Sequence, residues 1–265
     1  MNSIRIFSYL PNPRLYKATI AGRMNGVEIE IRGARPAELT DWLWDFDAHP
    51  LSEAERNDSS TLRVAKKGFS GGIHKTDEFL AAHPFGTVPA AFSSDGRVGV
   101  FESNSILRLV ARLGQDKCQL YGSDPLEATR IDSFLDASLN FAVESQKYLF
   151  SFSSNENLLA AHPVMQNAYE TYMGGIERAL SGGDFIVGDK LTIADIAFAC
   201  EVSLFALERH ESERFAALDL ASIFECSAGD YPRARSHFER LMENDAFGPD
   251  LRDYFNNMTM QKAFK

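Results

Sequence analysis

Residues 86 to 106 read Gly86-Thr87-Val88-Pro89-Ala90-Ala91-Phe92-Ser93-Ser94-Asp95-Gly96-Arg97-Val98-Gly99-Val100-Phe101-Glu102-Ser103-Asn104-Ser105-Ile106. A short apolar run from Val88 to Phe92 opens on a proline, which cannot donate to a ladder and so belongs at a strand start. Ser94-Asp95-Gly96 is turn chemistry, and Arg97 to Phe101 is the returning antiparallel strand. A helix follows from Ser103. Ile106, Leu107, Val110 and Leu113 recur on one side of it, and Gly114 marks its end.

Upstream, Ile4, Ile6 and Ser8 alternate with Arg5, Phe7 and Tyr9 as a strand, stopped by Pro11 and Pro13. A helix is predicted over Arg14 to Asn25. Asn25-Gly26 turns the chain into a second strand, where Val27, Ile29 and Ile31 alternate with Glu28, Glu30 and Arg32. Asp77 to Ala82 forms a short helix before the opening stretch. The order β-α-β, then α-β-β-α, predicts a thioredoxin-like α/β domain over residues 1–115, with a long insertion near 33–75.

Beyond Gly122-Ser123-Asp124-Pro125 strand periodicity is lost, and residues 125–265 are expected to form an all-helical domain. Ile131, Phe134, Leu135, Ser138 and Ala142 mark one helix. Met165, Ala168, Tyr169, Tyr172, Met173, Ile176 and Leu180 mark a second, and both stripes read as packing. In Val187-Gly188-Asp189-Lys190-Leu191-Thr192-Ile193-Ala194-Asp195-Ile196, Thr192 is an N-cap and Asp195 closes a capping box, with Leu191 and Ile196 as its staple. Ile193, Ile196, Ala197, Cys200 and Leu204 then define a buried face.

A chain of 265 residues with 45% hydrophobic residues suffices for two cores. No run of some 18 apolar residues suggests a membrane span, and the first residues lack a leader pattern, so a cytoplasmic protein is expected. The excess of 37 acidic over 27 basic side chains, net −10, disfavours nucleic acid as a direct ligand. Cys118, Cys200 and Cys226 have no metal-ligand spacing and are expected to be small core residues, so no metal site is expected.

The run Gly86-Thr87-Val88-Pro89-Ala90, followed by Phe101-Glu102-Ser103-Asn104-Ser105-Ile106, resembles the Val-Pro and Glu-Ser signatures of glutathione transferases in order and spacing. The Thr192 to Asp195 box resembles the capping motif of their helical domain. The resemblance implies glutathione as ligand, gripped by Thr87, Val88, Pro89, Glu102 and Ser103. A cis bond before Pro89 would turn the Val88 backbone toward the cysteinyl part of glutathione, which pairs there like an added strand. Ser103, expected to cap its helix, and the free N–H groups of the first turn would hold the γ-glutamyl carboxylate. Glu102 would receive the ammonium. Dimers of related chains, with themselves or with a paralogue, are a further implication.

Tyr9-x-Pro11-Asn12-x-Arg14-x-x-Lys17-x-x-Ile20-Ala21, with Phe185-Ile186-Val187-Gly188, resembles one branch, the transferase-like domain of elongation factor 1B gamma. Bacterial heterodimeric β-aryl etherases, active in lignin degradation, lie in the same divergent neighbourhood. Transfer chemistry needs a glutathione thiolate, yet a free thiol titrates near about 8.5. Lowering that by about two units takes roughly 2.7 kcal/mol of preference for the anion. The family uses a Ser, Tyr or Cys near the first strand, helped by the following helix's N-terminus. Here no Ser or Cys stands between Tyr9 and Arg14.

Asn12 is therefore the leading catalytic candidate, as an amide donor to the sulfur or, equally, as a turn residue between two prolines. Arg14 would add positive potential, and Ser8 or Tyr9 would be the fallback donor. Trp42 and Trp44 in the insertion would roof an aromatic pocket, meet a partner or pack an accessory helix. His74 and Lys75 would approach the glycyl carboxylate or lie in a solvated loop. The second substrate is expected between the domains, and Phe141, Tyr148, Phe150 and Phe152 suggest an apolar, aromatic electrophile. His162, before Pro163, reads as a helix-start residue. Two functions remain open: a glutathione-dependent transferase, or a non-catalytic partner subunit that keeps the fold.

Overall fold

A computed structural model describes residues 3–65, 69 and 71–264. The part of the insertion at 66–68 and 70, and the ends of the two expected domains at 1–2 and 265, lie outside the described residues. The chain divides into two compact units, Met1–Gly114 with Gln261–Lys265, and Gln115–Met260.

The first unit opens with β1 (Ser3–Tyr9), α1 (Pro13–Asn25) and β2 (Glu28–Ala34). β1 and β2 run parallel, Ile4 opposite Ile29 and Ile6 opposite Ile31. α1 forms where it does because Asn12 caps it, its side chain accepting from the Arg14 N–H, and Pro13 supplies a preset φ at the first position. It stops at Gly26, whose φ of 73° is the left-handed conformation a helix terminus favours.

Residues of the insertion then build β3 (Trp42–Trp44), β4 (His49–Pro50), a short α2 (Glu53–Arg56), β5 (Leu62–Val64) and β6 (Gly72–Lys75). These strands form a second four-stranded sheet in the order β4-β3-β6-β5. The accessory helix and the solvated loop considered for this stretch are thus replaced by a packed sheet. Trp44 is 1% exposed, its indole N–H donates to the Leu39 carbonyl at 2.9 Å, and Phe7 meets it edge-on at 5.3 Å. Trp42 stacks on Phe7 at 6.1 Å and is half-buried. Phe7 lies opposite Ile6 on the pleat of β1, so the insertion covers the second face of the first sheet.

α3 (Asp77–Ala82) follows, capped by Thr76, then β7 (Ala90–Phe92), β8 (Gly99–Phe101) and α4 (Ser103–Leu113). The first sheet has the order β2-β1-β7-β8, with β7 antiparallel to both neighbours. Both late strands are shorter than their apolar runs. Pro89 cannot enter the ladder, and at the other end the turn closes early, Ser93 N–H donating to Val98 O and Ser93 Oγ accepting from Val98 N–H. α1 packs against α4.

His74 is buried, with Thr61 Oγ1 at 2.8 Å from its Nδ1. Lys75 Nζ lies 4.4 Å from the Trp44 ring centroid and donates to the Gly86 carbonyl at 2.6 Å, while burial lowers its pKa. Lys75 thereby ties β6 to the loop that carries Val88. Lys75→Met is expected to lower stability by about 1 kcal/mol, the sum of one lost hydrogen bond and a cation–π contact. Urea denaturation checks this, and an unchanged midpoint would refute it.

The second unit is helical: α5 (Pro125–Ser151), α6 (Asn155–Ala179), α7 (Ile193–Phe205), α8 (Ser212–Ala217), α9 (Ile223–Cys226), α10 (Pro232–Glu243) and α11 (Gly248–Asn257). α7 carries the expected capping box of Thr192 and Asp195 and is buried at every position, not along one face. It packs against α5, α10 and α11. Ile131, Leu135, Ser138 and Ala142 of α5, and Met165, Tyr169, Tyr172, Met173 and Ile176 of α6, face the core as their spacing indicates.

Three readings are corrected in this unit. Phe141 and Tyr148 are core residues, Phe141 stacking on Tyr172 at 4.7 Å and Tyr148 donating its hydroxyl to the buried Glu208 at 3.0 Å. They do not mark a substrate pocket. His162 lies inside α6, which starts at Asn155, and its Nε2 pairs with the Ala221 carbonyl at 2.9 Å. Of the cysteines, Cys200 is buried, Cys118 partly so, and Cys226 is exposed.

Candidate functional site

The register of the first sheet assembles the site. Phe7 pairs with Ala90, and Ala90 with Phe101. Extending each strand by one or two residues brings the Ser8-Tyr9 end of β1, Val88-Pro89 before β7 and Glu102-Ser103 after β8 to one end of the sheet. The motifs that the sequence separates by a dozen residues are thereby neighbours.

The Val88–Pro89 peptide is cis. Pro89 is buried, Val88 half-buried and Thr87 exposed. Among the described residues nothing pairs with the backbone N–H or C=O of Val88. Val88 thus presents two open backbone groups that an extended ligand can pair with. The preceding loop is braced by the buried His83, whose Nε2 lies 3.3 Å from the Thr87 N–H and whose ring stacks on Phe101 at 4.7 Å. Burial is the main cause that lowers the His83 pKa, so the neutral ring with an accepting Nε2 suits this contact.

Glu102 stands at the N-cap of α4 with φ 66° and ψ 124°, a conformation L-residues rarely adopt. Its side chain makes no capping bond and is exposed. The Glu102 carbonyl accepts from the N–H groups of Ser105 and Ile106, so Ser103 is the first helical residue and not the cap. Ser103 is 8% exposed. Its backbone N–H has no acceptor among the described residues, and its Oγ accepts from Lys17 Nζ at 3.1 Å.

Lys17 was visible in the sequence only as one letter of a longer pattern. It falls on α1 three and four residues before Ile20 and Ala21, a lysine on an apolar stripe, and that was the available signal. It is fully buried, with Nζ 2.7 Å from Asn104 Oδ1.

The catalytic candidates are placed differently. Asn12 is fully buried; its Nδ2 donates to Ser8 Oγ at 3.0 Å and its Oδ1 accepts from the Arg14 N–H at 2.9 Å. The Asn12 carbonyl takes the N–H groups of Leu15 and Tyr16. Pro13 has none. Every backbone donor of the first turn of α1 is thus consumed by Asn12. Ser8 is fully buried, its hydroxyl donating to the Tyr9 carbonyl at 3.0 Å, and the half-buried Tyr9 packs against the cluster around Phe7 and Trp44. Arg14 is half-buried.

Residues 144–224 match the family profile of the glutathione S-transferase C-terminal domain. Elongation factor 1-gamma of Trypanosoma cruzi is 35% identical over 156 residues, covering 58% of this chain and 35% of that protein. The chain therefore spans about a third of the length of such relatives. A glutathione S-transferase-like protein, LUC7, of Fusarium sp is 27% identical over 222 residues, covering 80% of this chain and 83% of that one. A crystal structure of a glutathione S-transferase from Methylobacterium radiotolerans with glutathione sulfonate superposes with a TM-score of 0.60 at 19% identity, covering 94% of each chain.

Sheet order, site and helical second unit define the glutathione-transferase fold, a thioredoxin-like domain followed by an all-helical one. The chain has this fold, and its sequence is similar both to elongation factor 1-gamma and to a glutathione S-transferase-like protein.

Proposed function

We propose that the first unit binds glutathione through the backbone of Val88, beside Thr87 and Pro89, and through Glu102 and Ser103. The observation that carries this reading is that, among the described residues, the N–H and C=O of Val88, the Glu102 carboxylate and the Ser103 N–H have no partner and lie at one end of the sheet. The Val88 groups suit an extended peptide that adds as a strand. The Ser103 N–H and hydroxyl suit a carboxylate at the start of α4, and Glu102 suits an ammonium.

On this reading the chain works in the cytoplasm as a glutathione S-transferase, alone or as a dimer with a related chain, directing the thiolate to an electrophilic carbon; an apolar, aromatic electrophile such as a β-aryl ether rests on the sequence resemblance. Arg14 supplies the positive potential that favours the thiolate, with Tyr9 as the neighbouring hydroxyl. A second reading, a non-catalytic partner subunit like the transferase-like domain of elongation factor 1B gamma, is favoured by one specific observation: Asn12 is buried and occupies every donor of the first turn of α1. Asn12 then serves as a cap rather than as a sulfur ligand.

Retention on immobilised glutathione followed by a thiol-transfer assay separates these outcomes. Wild type is expected to be retained and eluted by free glutathione, and failure to bind removes the proposal. Arg14→Ala is expected to lower transfer roughly tenfold or more, the scale of about one pKa unit on the thiol, with retention unchanged. Retention without transfer by the wild type, alone and with candidate paralogues, decides for the partner subunit.

A further inference from the structure

We infer that Lys17 is a positioning residue of the glutathione site: its buried ammonium holds the Ser103 hydroxyl as a donor toward the α-carboxylate of the γ-glutamyl group. This rests on the glutathione reading above and assigns a part of it that no motif carries.

Among the described residues Lys17 is the only lysine or arginine in the buried set, at 0% exposure. Lysine is seldom fully buried without a specific partner. Its Nζ reaches Asn104 Oδ1 at 2.7 Å and Ser103 Oγ at 3.1 Å, so it bridges α1 to the first two residues of α4.

The chemistry of the three groups sets their direction. An ammonium only donates, so Ser103 Oγ and Asn104 Oδ1 must both accept from it. The Ser103 hydroxyl proton is then left to donate elsewhere, and no acceptor for it stands among the described residues. The Ser103 backbone N–H is open as well. Lys17 thus converts a hydroxyl that can face either way into a fixed donor. Its charge lies beneath the N-terminus of an eleven-residue helix and adds to the partial positive charge there.

Glu102, one residue before, presents a carboxylate from a backbone at φ 66°. Donors backed by a cation beside an exposed carboxylate form a pair of opposite charges matched to an α-amino acid zwitterion. Lys17 is the half of that pair which acts from below, through Ser103, without reaching the ligand itself.

Glutathione and its derivative in which the γ-glutamyl α-carboxylate is a carboxamide are the probes, titrated calorimetrically into wild type and Lys17→Met. Wild type is expected to prefer glutathione over the amide by at least about tenfold. Lys17→Met is expected to lose about tenfold for glutathione and at most about threefold for the amide, whose carbonyl still accepts from Ser103 but carries no charge for the ammonium to favour. A merely structural lysine would weaken both ligands equally, and that result overturns the inference. Equal binding of both ligands by wild type also overturns it, while leaving the Val88 grip intact. Wild type that binds neither removes the glutathione reading itself. Circular dichroism reports folding, and should Lys17→Met not fold, Lys17→Gln takes its place with the same expected pattern. Loss of fold in both variants assigns Lys17 to the scaffold and overturns the proposal.

Discussion

Asp195→Ala is expected to lower the stability of the protein by about 3 kcal/mol or more, the cost of leaving several buried donors unsatisfied. The Asp195 carboxylate is 0% exposed. One oxygen accepts from the Ile186 N–H at 3.0 Å and from His237 Nε2 at 2.8 Å; the other accepts from Thr192 N–H at 2.8 Å and Thr192 Oγ1 at 3.1 Å. The network extends further. Arg240 Nη2 lies 3.2 Å from His237 Nδ1, and arginine only donates, so Nδ1 accepts and Nε2 carries the proton given to Asp195.

Truncation would leave these donors facing a void, each unsatisfied group costing about 1–3 kcal/mol. Against a total of about 5–15 kcal/mol for a typical native protein, that loss makes folding marginal. Thr192→Ala removes the cap to Ala194 and one of the four bonds to Asp195, and should cost about 1–2 kcal/mol. Asp195→Asn should fall between, because an amide nitrogen must face donors that the second oxygen now satisfies. Chemical denaturation of the three variants orders them, and an Asp195→Ala loss under about 1 kcal/mol would show the network to be dispensable.

How much of this was legible in the sequence differs by element, for physical reasons. α1, α3, α4 and the box at Thr192 announce themselves through local chemistry: caps, a proline at the first position, a terminal glycine. The two sheet-end motifs were legible as letters, while their meeting depended on the register of Phe7, Ala90 and Phe101, which no local pattern specifies.

The insertion was opaque because its strands are only two to four residues long, too short for alternation to show. Trp44 looked like a candidate lid because an aromatic in a long loop and an aromatic in a core read alike until a neighbouring sheet face is known. Phe141 and Tyr148 misled for the same reason. Asn12 had two roles open, and what the sequence lacked was the side-chain geometry that commits both of its ends.

Glu102→Gly is expected to move stability and binding in opposite directions. Glu102 holds φ 66° and ψ 124°, a backbone state that costs a side-chain-bearing residue on the order of 1–3 kcal/mol. Its carboxylate neither caps α4 nor meets a partner among the described residues, so nothing local offsets that cost. Glycine adopts positive φ freely and is acceptable at an N-cap. The variant should gain about 1 kcal/mol after its greater unfolded-chain entropy is counted.

Glutathione affinity should fall in the same variant by roughly thirtyfold, equivalent to about 2 kcal/mol for a lost charge-assisted hydrogen bond. Glu102→Gln keeps the backbone cost and removes only the charge, so it should lose affinity without gaining stability. Thermal unfolding and calorimetric titration on the same samples measure both quantities. A glycine variant that binds like wild type would detach Glu102 from the ligand's ammonium, and one that is no more stable would show that the strain at φ 66° is relieved by its surroundings. If both shifts occur together, the fold bears the strain at the head of α4, and ligand binding rather than stability accounts for a carboxylate at that position.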